Sequence, residues 1–442
     1  MTAPVLIEGR NLALSQGTGI ASYARILSNT LRGLGYELDL LFDTEFRLSR
    51  NRPDWNELQL YDMSNRQGPR ITRLRRYRRA FRYLTVPPMA LQAREVAESD
   101  LIADRSVFPG LHGFGRRMAI EMLFLRADQH LIRYGRRLTV KPLRQPGLFH
   151  ATHPAALEVK GCPNVYTVHD LVPLRLPHMT LDNKRAFHKT LGAIAEGADK
   201  IVTVSENSRR DFLHYFKVDE DRIVNTYQAV SLPEAYLQRT AEENAREVSA
   251  FGLTPQKYFV FVGALEPKKN LERLIDAYLA AGSQNPLVII GKLGWGYERI
   301  VEKLQRVAER PPVGPDGELL PLTERIIHLS YLPSTQVLSL VENARALLFP
   351  SLYEGFGLPA LEAMLLGTPV IAANTSSLPE VVGDAGLLVD PYDQVSITRA
   401  IRMIDHDGDL RDELKRRGPV QAALFSPERF AERMKLVYDS VL

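Results

Sequence analysis

The chain has 442 residues, enough for two or three domains at the usual size of about 100–200 residues each. Hydrophobic residues make up 45% and charged residues 24%, as in an ordinary globular protein, and the single Cys162 excludes a disulfide framework and fits a reducing compartment. With 56 Lys and Arg against 52 Asp and Glu, the net charge is only +4, which argues against a dedicated nucleic-acid-binding protein.

The first half opens with an apolar run at residues 5–7, a loop that contains Gly17 and Gly19, and an apolar-periodic helix at 20–34. Ser22 stands where a dinucleotide-binding fingerprint has its third glycine, so the loop is a weak nicotinamide signal. Glycines let the backbone approach a ligand closely, and we predict a phosphate or acceptor loop here.

The positive charge is concentrated in residues 66–144, which carry eighteen Lys and Arg and six Asp and Glu, a net +12. Within this segment, residues 70–82 combine arginines with apolar residues at helical spacing. The pattern fits a helix that binds an anionic membrane surface or an anionic acceptor, and equally a solvated helix that packs on its own domain. No nucleic-acid motif accompanies it, so we expect no nucleic-acid partner.

Strands and histidines alternate in the middle of the chain. Apolar runs at 165–168 and 201–204 predict buried strands, and Ser205 is a good N-cap for a helix to about residue 216. His153 and the pair His169 and Asp170 follow strands, so we expect them at the sheet edge where parallel sheets bind ligands.

Histidine can hydrogen-bond a sugar or act as an acid or base, although we interpret the nearby His150 as structural. His169 and Asp170 lack a third ligand at a usual spacing, so we predict no metal site.

The second half alternates more clearly between strands and helices. Strands are predicted at 258–263, 287–290, 326–329, 346–349 and 369–372, and helices at 271–281, 297–309, from 334 and from 359. Such alternation predicts a parallel sheet covered by helices, and it occurs in both halves. The predicted class is α/β, with two doubly wound Rossmann-like domains facing an interdomain cleft.

We place the N-terminal domain at 1–235, with a basic insert at about 45–147, and the C-terminal domain at 255–424. The polar segment 230–255 interrupts the alternation and is the predicted linker. The helix expected from Pro427, within 425–442, is a candidate to return to the N-terminal domain.

Residues 349–363 carry the strongest chemical signal. A buried strand leads into a loop with Glu354 and two glycines, and Pro359 fits the first position of the following helix. The free N–H groups and dipole of a helix N-terminus attract anions, and Glu354 and Glu362 could flank a ligand there. Hydroxyls at both ends and phosphates between them suit a sugar nucleotide, although either glutamate on its own is better explained as an ordinary helix-start or loop acid.

Residues 266–270 follow the strand that ends at Gly263 and contain Lys268 and Lys269. Two lysines at the carboxyl end of a strand can neutralise a diphosphate, and the alternative is a solvated basic turn.

Together these strings resemble the retaining, nucleotide-sugar-dependent glycosyltransferases of family four, which have the GT-B fold. The resemblance covers nearly the whole chain and is poorest over 45–147. It rests on motifs at residues 17–19, 167–170, 204–208, 266–270, 291–295, 354–362, 367–371 and 377–385.

The resemblance implies that the C-terminal domain binds the nucleotide-sugar donor and the N-terminal domain the acceptor. Glu362 would hold ribose hydroxyls, Glu354 would contact the transferred sugar, and Lys269 would stabilise the leaving diphosphate. The implied donor-binding residues are Glu362, Lys268, Gly263, Phe356, Gly357, Leu358, Gly291 and Lys292, with the backbone of 356–358 around the phosphates.

The implied catalytic residues are Glu354, His153 and Lys269, with His153 near the reacting carbon of the donor sugar. Gly17, Gly19, His169 and Asp170 would form the acceptor and phosphate loops. Transfer would retain the anomeric configuration and need no metal or other cofactor. Many relatives have an arginine where this chain has Ala264, so either Lys268 substitutes for it or the phosphate is held differently.

The motifs at 266–270 and 167–170 resemble those of mannosyltransferases that use GDP-mannose. We therefore expect a hexosyltransferase acting on a glycan or lipid-linked glycan in cell-surface polysaccharide or lipopolysaccharide synthesis. The chain has no signal-like leader and no apolar run near the roughly 20 residues of a bilayer span, so we expect a cytoplasmic or peripheral membrane location.

Three alternatives stay open at this point. A glycoside hydrolase could use Glu354 and Glu362 as acid and base, but the phosphate-binding elements would then lack a role. A sugar-nucleotide epimerase of the same fold would convert the donor without an acceptor. A non-catalytic, membrane-associated nucleotide-sugar-binding protein would tolerate the loss of Glu354.

Overall fold

The computed structural model describes residues 3–12, 19–65, 90–100, 102–103, 108–309 and 325–442. The chain divides into two compact units. The first contains residues 1–175, 182–229 and 427–442, and the second contains residues 176–181 and 230–426. Gly17 and the basic stretch 70–82 lie outside the described residues.

The first unit is built on an eight-stranded sheet of order β11-β10-β9-β7-β1-β2-β5-β4, parallel except where β4 pairs with β5. A second, three-stranded parallel sheet has the order β3-β6-β8. The strands are β1 Val5–Glu8, β2 Leu38–Thr44, β3 Leu91–Gln92, β4 Arg94–Glu95, β5 Arg117–Glu121, β6 Leu138–Lys141, β7 Leu148–Ala151, β8 Leu157–Val159, β9 Asn164–Val168, β10 Lys200–Thr203 and β11 Ile223–Asn225.

The helices of the first unit cover the sheet with apolar faces. In α1, for example, Tyr23, Leu27 and Leu31 recur at helical spacing and are all buried. Ser205 caps its helix as predicted, because its hydroxyl accepts the backbone N–H of Ser208. The helices are α1 Gly19–Gly33, α2 Pro53–Asn65, α3 Leu123–Tyr134, α4 Val172–Arg175, α5 Lys184–Gly197, α6 Glu206–Tyr215 and, at the end of the chain, α16 Pro427–Asp439.

Part of the segment predicted as an insert is integral to the first unit. Strand β5 pairs in parallel with β2 over five residues, inside the range 45–147. It begins with the buried Arg117, which donates to the buried carboxylate of Glu57 on α2 at 2.9 Å. A charged residue at a buried strand position hides the apolar pattern, which explains why the sequence did not predict this strand.

The second unit has a six-stranded, all-parallel sheet of order β14-β13-β12-β15-β16-β17. This order reverses between β12 and β15, so ligand sites are expected beyond the carboxyl ends of those two strands. The strands are β12 Phe259–Val262, β13 Leu287–Ile290, β14 Ile326–Leu329, β15 Ala346–Phe349, β16 Val370–Ala373 and β17 Leu387–Val389. Most are apolar throughout, because helices cover both faces.

The predicted linker is mostly helical. Within 230–255 the chain forms α7 Glu234–Leu237 and α8 Ala241–Ala250, and Thr240 and Glu243 form a capping box at the start of α8. The other helices of the second unit are α9 Leu271–Ala281, α10 Glu298–Glu309, α11 Ser334–Glu342, α12 Leu358–Leu365, α13 Leu378–Val382, α14 Gln394–His406 and α15 Gly408–Ala422.

Helix α16 belongs to the first unit, although it follows the whole of the second in sequence. Its Tyr438 is buried and hydrogen-bonds His150 at 2.7 Å. Across the described ranges, no helix combines the length and apolar character that a bilayer crossing requires.

Candidate functional site

Two loops of the second unit meet where β12 and β15 end. The backbone N–H of Leu352 donates to the carbonyl of Lys268 at 2.8 Å. The amide of Asn270, a residue with φ +60°, donates to the carbonyls of Pro350 and Pro391 at 3.0 and 2.7 Å. These bonds hold the short 3-10 turn Pro267–Lys269 against the loop that contains Glu354.

Lys269 and Glu354 form a buried ion pair at this junction. The ammonium lies 2.6 Å from the carboxylate, and the two side chains are only 13% and 10% exposed. Burial alone would raise the pKa of Glu354, but the charges of Lys269 and Lys268 and the hydrogen bond from Lys269 lower it. Glu354 is therefore ionised, and both predicted lysines act on it.

The turn before α12 is shaped by Gly357. Its φ is +110°, and a Cβ there would lie 2.6 Å from the side chain of Leu378, so both conformation and space require glycine. The Ser377 hydroxyl braces the turn by donating to the carbonyls of Glu354 and Phe356 at 3.0 and 2.7 Å. The helix begins at Leu358, one residue before the predicted start at Pro359.

The turn presents two backbone N–H groups at the start of α12. Among the described residues, no acceptor pairs with the N–H groups of Gly357 and Leu358, and Pro359 has no N–H. Both groups lie at the positive end of the dipole of α12. The turn therefore has the donors that would bind a phosphate oxygen.

Glu362 lies on the same helix, in its second turn. Its carboxylate has neither a hydrogen bond nor an ion pair within the described part of the chain. The side chain is partly buried, and this burial raises the pKa of the carboxyl group to about 7. A carboxylate in this state gains most from a ligand that donates hydroxyl groups to it.

Two further predicted residues, Gly263 and Gly291, lie at the ends of the neighbouring strands β12 and β13. A Cβ on Gly291 would lie only 1.8 Å from the carbonyl oxygen of Gly263, whose φ is +156°. The glycine at 291 is therefore required for the two strand ends to approach each other. Lys292 follows and is exposed.

His153 lies at the carboxyl edge of the first unit and contacts an acid that the sequence analysis missed. Its Nδ1 is 2.7 Å from the Glu8 carboxylate, at the end of the adjacent strand β1. Glu8 is fully buried, and burial alone would raise its pKa. The electrostatic attraction of His153 and the hydrogen bonds from His153, the Arg10 N–H and the Thr152 hydroxyl outweigh burial and lower the pKa. The signal that could have identified Glu8 is an acidic residue at the carboxyl end of the first buried strand, where parallel sheets bind ligands.

The other predicted residues of the first unit are more engaged in structure. His169 is buried, its Nε2 donates to the carbonyl of Thr152 at 2.8 Å, and burial lowers its pKa to about 4. Asp170 accepts the backbone N–H of Val172 at 3.1 Å. Gly19 is exposed at the start of α1, and its carbonyl accepts the Gln228 amide at 3.4 Å. Roles for these three residues in ligand binding stay predictions.

His150 is a structural histidine, as expected. It is buried and hydrogen-bonded to Tyr438 and to Thr167, and burial lowers its pKa to about 3.

Comparison with known proteins identifies the chain as a glycosyltransferase. Residues 89–232 match the family described as Glycosyltransferase Family 4, and residues 243–421 match Glycosyl transferases group 1. The O-antigen chain mannosyltransferase B of Escherichia coli is 35% identical over 269 residues, 60% of this chain and 67% of that protein. This chain belongs to the family 4 glycosyltransferases.

Other relatives and solved structures fit this assignment. The serotype-specific mannosyltransferase WbdA of Escherichia coli is 31% identical over 59% of this chain, but the match spans only 31% of that longer protein. Sucrose-phosphate synthase from Thermosynechococcus elongatus has a TM-score of 0.65 at 18% identity and covers 99% of this chain and 98% of its own. WaaG, a glycosyltransferase involved in lipopolysaccharide biosynthesis, has a TM-score of 0.56 at 14% identity, over 97% of this chain and 98% of its own. The fold is therefore GT-B, with two Rossmann-like domains.

Proposed function

We propose that the protein is a retaining hexosyltransferase that transfers mannose from GDP-mannose to a glycan or lipid-linked glycan in cell-surface polysaccharide synthesis. The relatives named as O-antigen and serotype-specific mannosyltransferases support the sugar and the pathway class. The neighbour HepE was solved with UDP-glucose, which supports a nucleotide sugar as donor and makes the base a point to test.

One observation carries the donor assignment: within the part of the chain that the structure describes, two backbone N–H groups and a carboxylate at the same helix have no protein partner. The amides of Gly357 and Leu358 would bind the phosphates, and Glu362 would accept the ribose hydroxyls. The Lys269 ammonium would donate hydrogen bonds to the diphosphate as well as to Glu354, and Glu354 would then also accept a sugar hydroxyl. Lys268, whose charge already reaches Glu354, is our candidate to replace the arginine absent at Ala264.

Charge stabilisation of the departing diphosphate is the main requirement of the reaction. The bond from the anomeric carbon to the diphosphate oxygen would break first, with the negative charge held by Lys269 and the turn amides. The acceptor hydroxyl would attack the same face, and its proton would pass to the departing phosphate. This course retains the anomeric configuration and requires no metal ion.

The test is a panel of GDP-, UDP- and ADP-sugars, first by thermal shift and then in reactions with and without a mannose-containing acceptor. A ligand that binds only the native state raises its melting temperature. We expect GDP-mannose to give the largest shift, GDP release only with acceptor, and an α-linked product by NMR.

The alternatives predict different outcomes. Conversion of the donor without acceptor would identify an epimerase, and cleavage of a glycoside without nucleotide would identify a hydrolase. If Glu354→Ala leaves transfer unchanged, the proposed site is wrong.

For location, we propose a cytoplasmic protein that binds the inner face of the membrane through the stretch 70–82. Vesicles with 30% anionic lipid should retain the chain at low salt and release it at high salt, because the attraction is electrostatic. Equal binding to neutral vesicles, or none to either, contradicts this location.

A further inference from the structure

The Glu8 carboxylate interacts with three hydrogen-bonding groups. One carboxylate oxygen accepts the backbone N–H of Arg10 at 2.5 Å. The other lies 2.7 Å from Nδ1 of His153 and 3.1 Å from the Thr152 hydroxyl. The side chain is completely buried, so these partners replace the water that an ionised acid would otherwise bind.

The geometry determines that Nδ1 of the histidine carries a proton. An ionised carboxylate can only accept hydrogen bonds, so Nδ1 of His153 must carry the proton. The Phe124 ring lies 5.3 Å from the imidazole, centroid to centroid, and limits its rotation. Within the described residues Nε2 has no partner, and the histidine side chain is 13% exposed.

We propose that Glu8 is a positioning residue for the transfer reaction, holding His153 with Nδ1 protonated so that Nε2 faces the donor sugar. This rests on the proposed function, because it takes His153 as the residue that contacts that sugar. Glu8 touches no substrate itself and acts only through the imidazole. In its neutral form, with the proton at Nδ1, the imidazole presents an acceptor at Nε2, which selects a sugar hydroxyl as its partner.

Other titratable groups lie near His153, and in the described part of the chain none of them hydrogen-bonds it. Asp128 on α3 and His169 after β9 interact with it electrostatically, and the guanidinium of Arg10 lies over the Phe124 ring at 4.8 Å. Asp128 therefore provides a control: it interacts with His153 electrostatically, and no hydrogen bond joins the two side chains within the described residues.

The direct test is the tautomer of His153, read by NMR of the full chain labelled with ¹⁵N-histidine and assigned by comparison with His153→Gln. We expect the neutral imidazole to be protonated at Nδ1. In Glu8→Gln the N–H of Arg10 selects the amide oxygen, which places the amide NH₂ against Nδ1 and should move the proton to Nε2. Asp128→Asn should leave the tautomer unchanged.

An Nε2-protonated imidazole in the unsubstituted protein overturns the proposal, and this needs no variant to fold and no known substrate. An unchanged tautomer in Glu8→Gln, with a native circular dichroism spectrum, also overturns it. So does a change of tautomer in Asp128→Asn equal to that in Glu8→Gln.

The kinetic test is a double-mutant cycle with the donor identified by the panel. Glu8→Gln should lower kcat by about tenfold to a hundredfold, the loss expected for one charge-assisted hydrogen bond, with a smaller change in donor KM. In a His153→Ala background the same substitution should change kcat by less than about twofold, because its effect passes through the imidazole.

Additive losses in the cycle would mean that Glu8 acts independently of His153, and the proposal would be wrong. If no donor supports transfer, the proposed function fails, while the tautomer experiment still decides the pairing.

Discussion

At the scale of one residue, Glu362 differs from the paired acids Glu8 and Glu354. Its carboxylate has no partner among the described residues, and burial holds its pKa near 7. The native chain therefore binds this proton more tightly than the unfolded chain, whose pKa is about 4.5. The free energy of unfolding should fall as pH rises from about 4.5 to about 7, and the loss should persist above pH 7.

Glu362→Gln should separate stability from binding. The neutral amide removes the cost of ionising a partly buried group, so the unliganded variant should melt at a higher temperature than the parent at pH 8 and at a similar one at pH 4.5. If Glu362 binds the ribose of the donor as proposed, donor affinity should also fall, because an ionised carboxylate accepts hydroxyl hydrogen bonds more strongly than an amide does.

Thermal melts with and without donor at both pH values check this prediction. Glu302→Gln, at an exposed acid on α10, is the control and should change neither quantity. A variant at 362 that is less stable at pH 8 would contradict the prediction.

The pair of Lys269 and Glu354 gives a second prediction at this scale. Lys269→Met leaves a buried carboxylate unpaired and should lower the free energy of unfolding by about 3–5 kcal/mol. Adding Glu354→Gln should restore most of that stability without restoring transfer, because the diphosphate would still lack the cation that we propose for it.

Urea denaturation measures the stability, and nucleotide release measures the activity. Lys435→Met, which breaks the exposed pair with Asp439, is the control and should leave the free energy of unfolding nearly unchanged, because solvent screens this pair. If the double variant is as unstable as Lys269→Met, charge pairing is not what holds the loops together.

At the scale of elements, the close approach of β12 and β13 depends on Gly291. A methyl group there would overlap the carbonyl oxygen of Gly263, which belongs to the backbone and cannot rotate away. We expect Gly291→Ala to lower the free energy of unfolding by about 1–3 kcal/mol or more and to weaken donor binding by displacing Gly263.

Gly33→Ala is the matched control, because nothing lies within 4 Å of the added carbon at the end of α1. It should leave stability unchanged or raise it by up to about 1 kcal/mol. Denaturant unfolding of both variants decides, and equal effects would contradict the steric explanation.

The elements of the second unit were largely predictable from sequence. Strands β13, β14 and β15 and helix α9 occur at the predicted residues, because apolar runs bounded by turns leave little choice of register. Helix α8 was missed although Thr240 and Glu243 have the spacing of a capping box, because the polar composition of the segment suggested a linker.

Tertiary partners account for what the sequence could not show. Glu8 pairs with His153, which lies 145 residues away along the chain, and Arg117 of β5 pairs with Glu57 of α2. Spacing within a motif carries no information about such contacts. For the same reason the sequence found Glu354 and Lys269 separately, and only the structure pairs them.

At the scale of the whole molecule, α16 ties the end of the chain into the first unit through a buried polar chain. Tyr438 bonds His150, His150 bonds Thr167, and Thr167 bonds Tyr23 of α1 at 2.9 Å. Tyr438→Phe leaves Nδ1 of His150 buried without a partner and should lower the free energy of unfolding by about 1–3 kcal/mol.

Leu436 lies on the same helix and is 71% exposed, so Leu436→Ala should change stability by no more than about 0.5 kcal/mol. Denaturant unfolding of the full chain compares the two. A loss at Leu436 as large as that at Tyr438 would contradict a specific role for the buried chain of hydrogen bonds.

The return of α16 also determines when the protein can mature during synthesis. The second unit is encoded between two parts of the first, so it can fold on the ribosome while the first still lacks its last helix. A nascent chain interrupted before residue 427 would leave Tyr23 and its apolar neighbours uncovered, and such fragments should be substrates for chaperones and proteases.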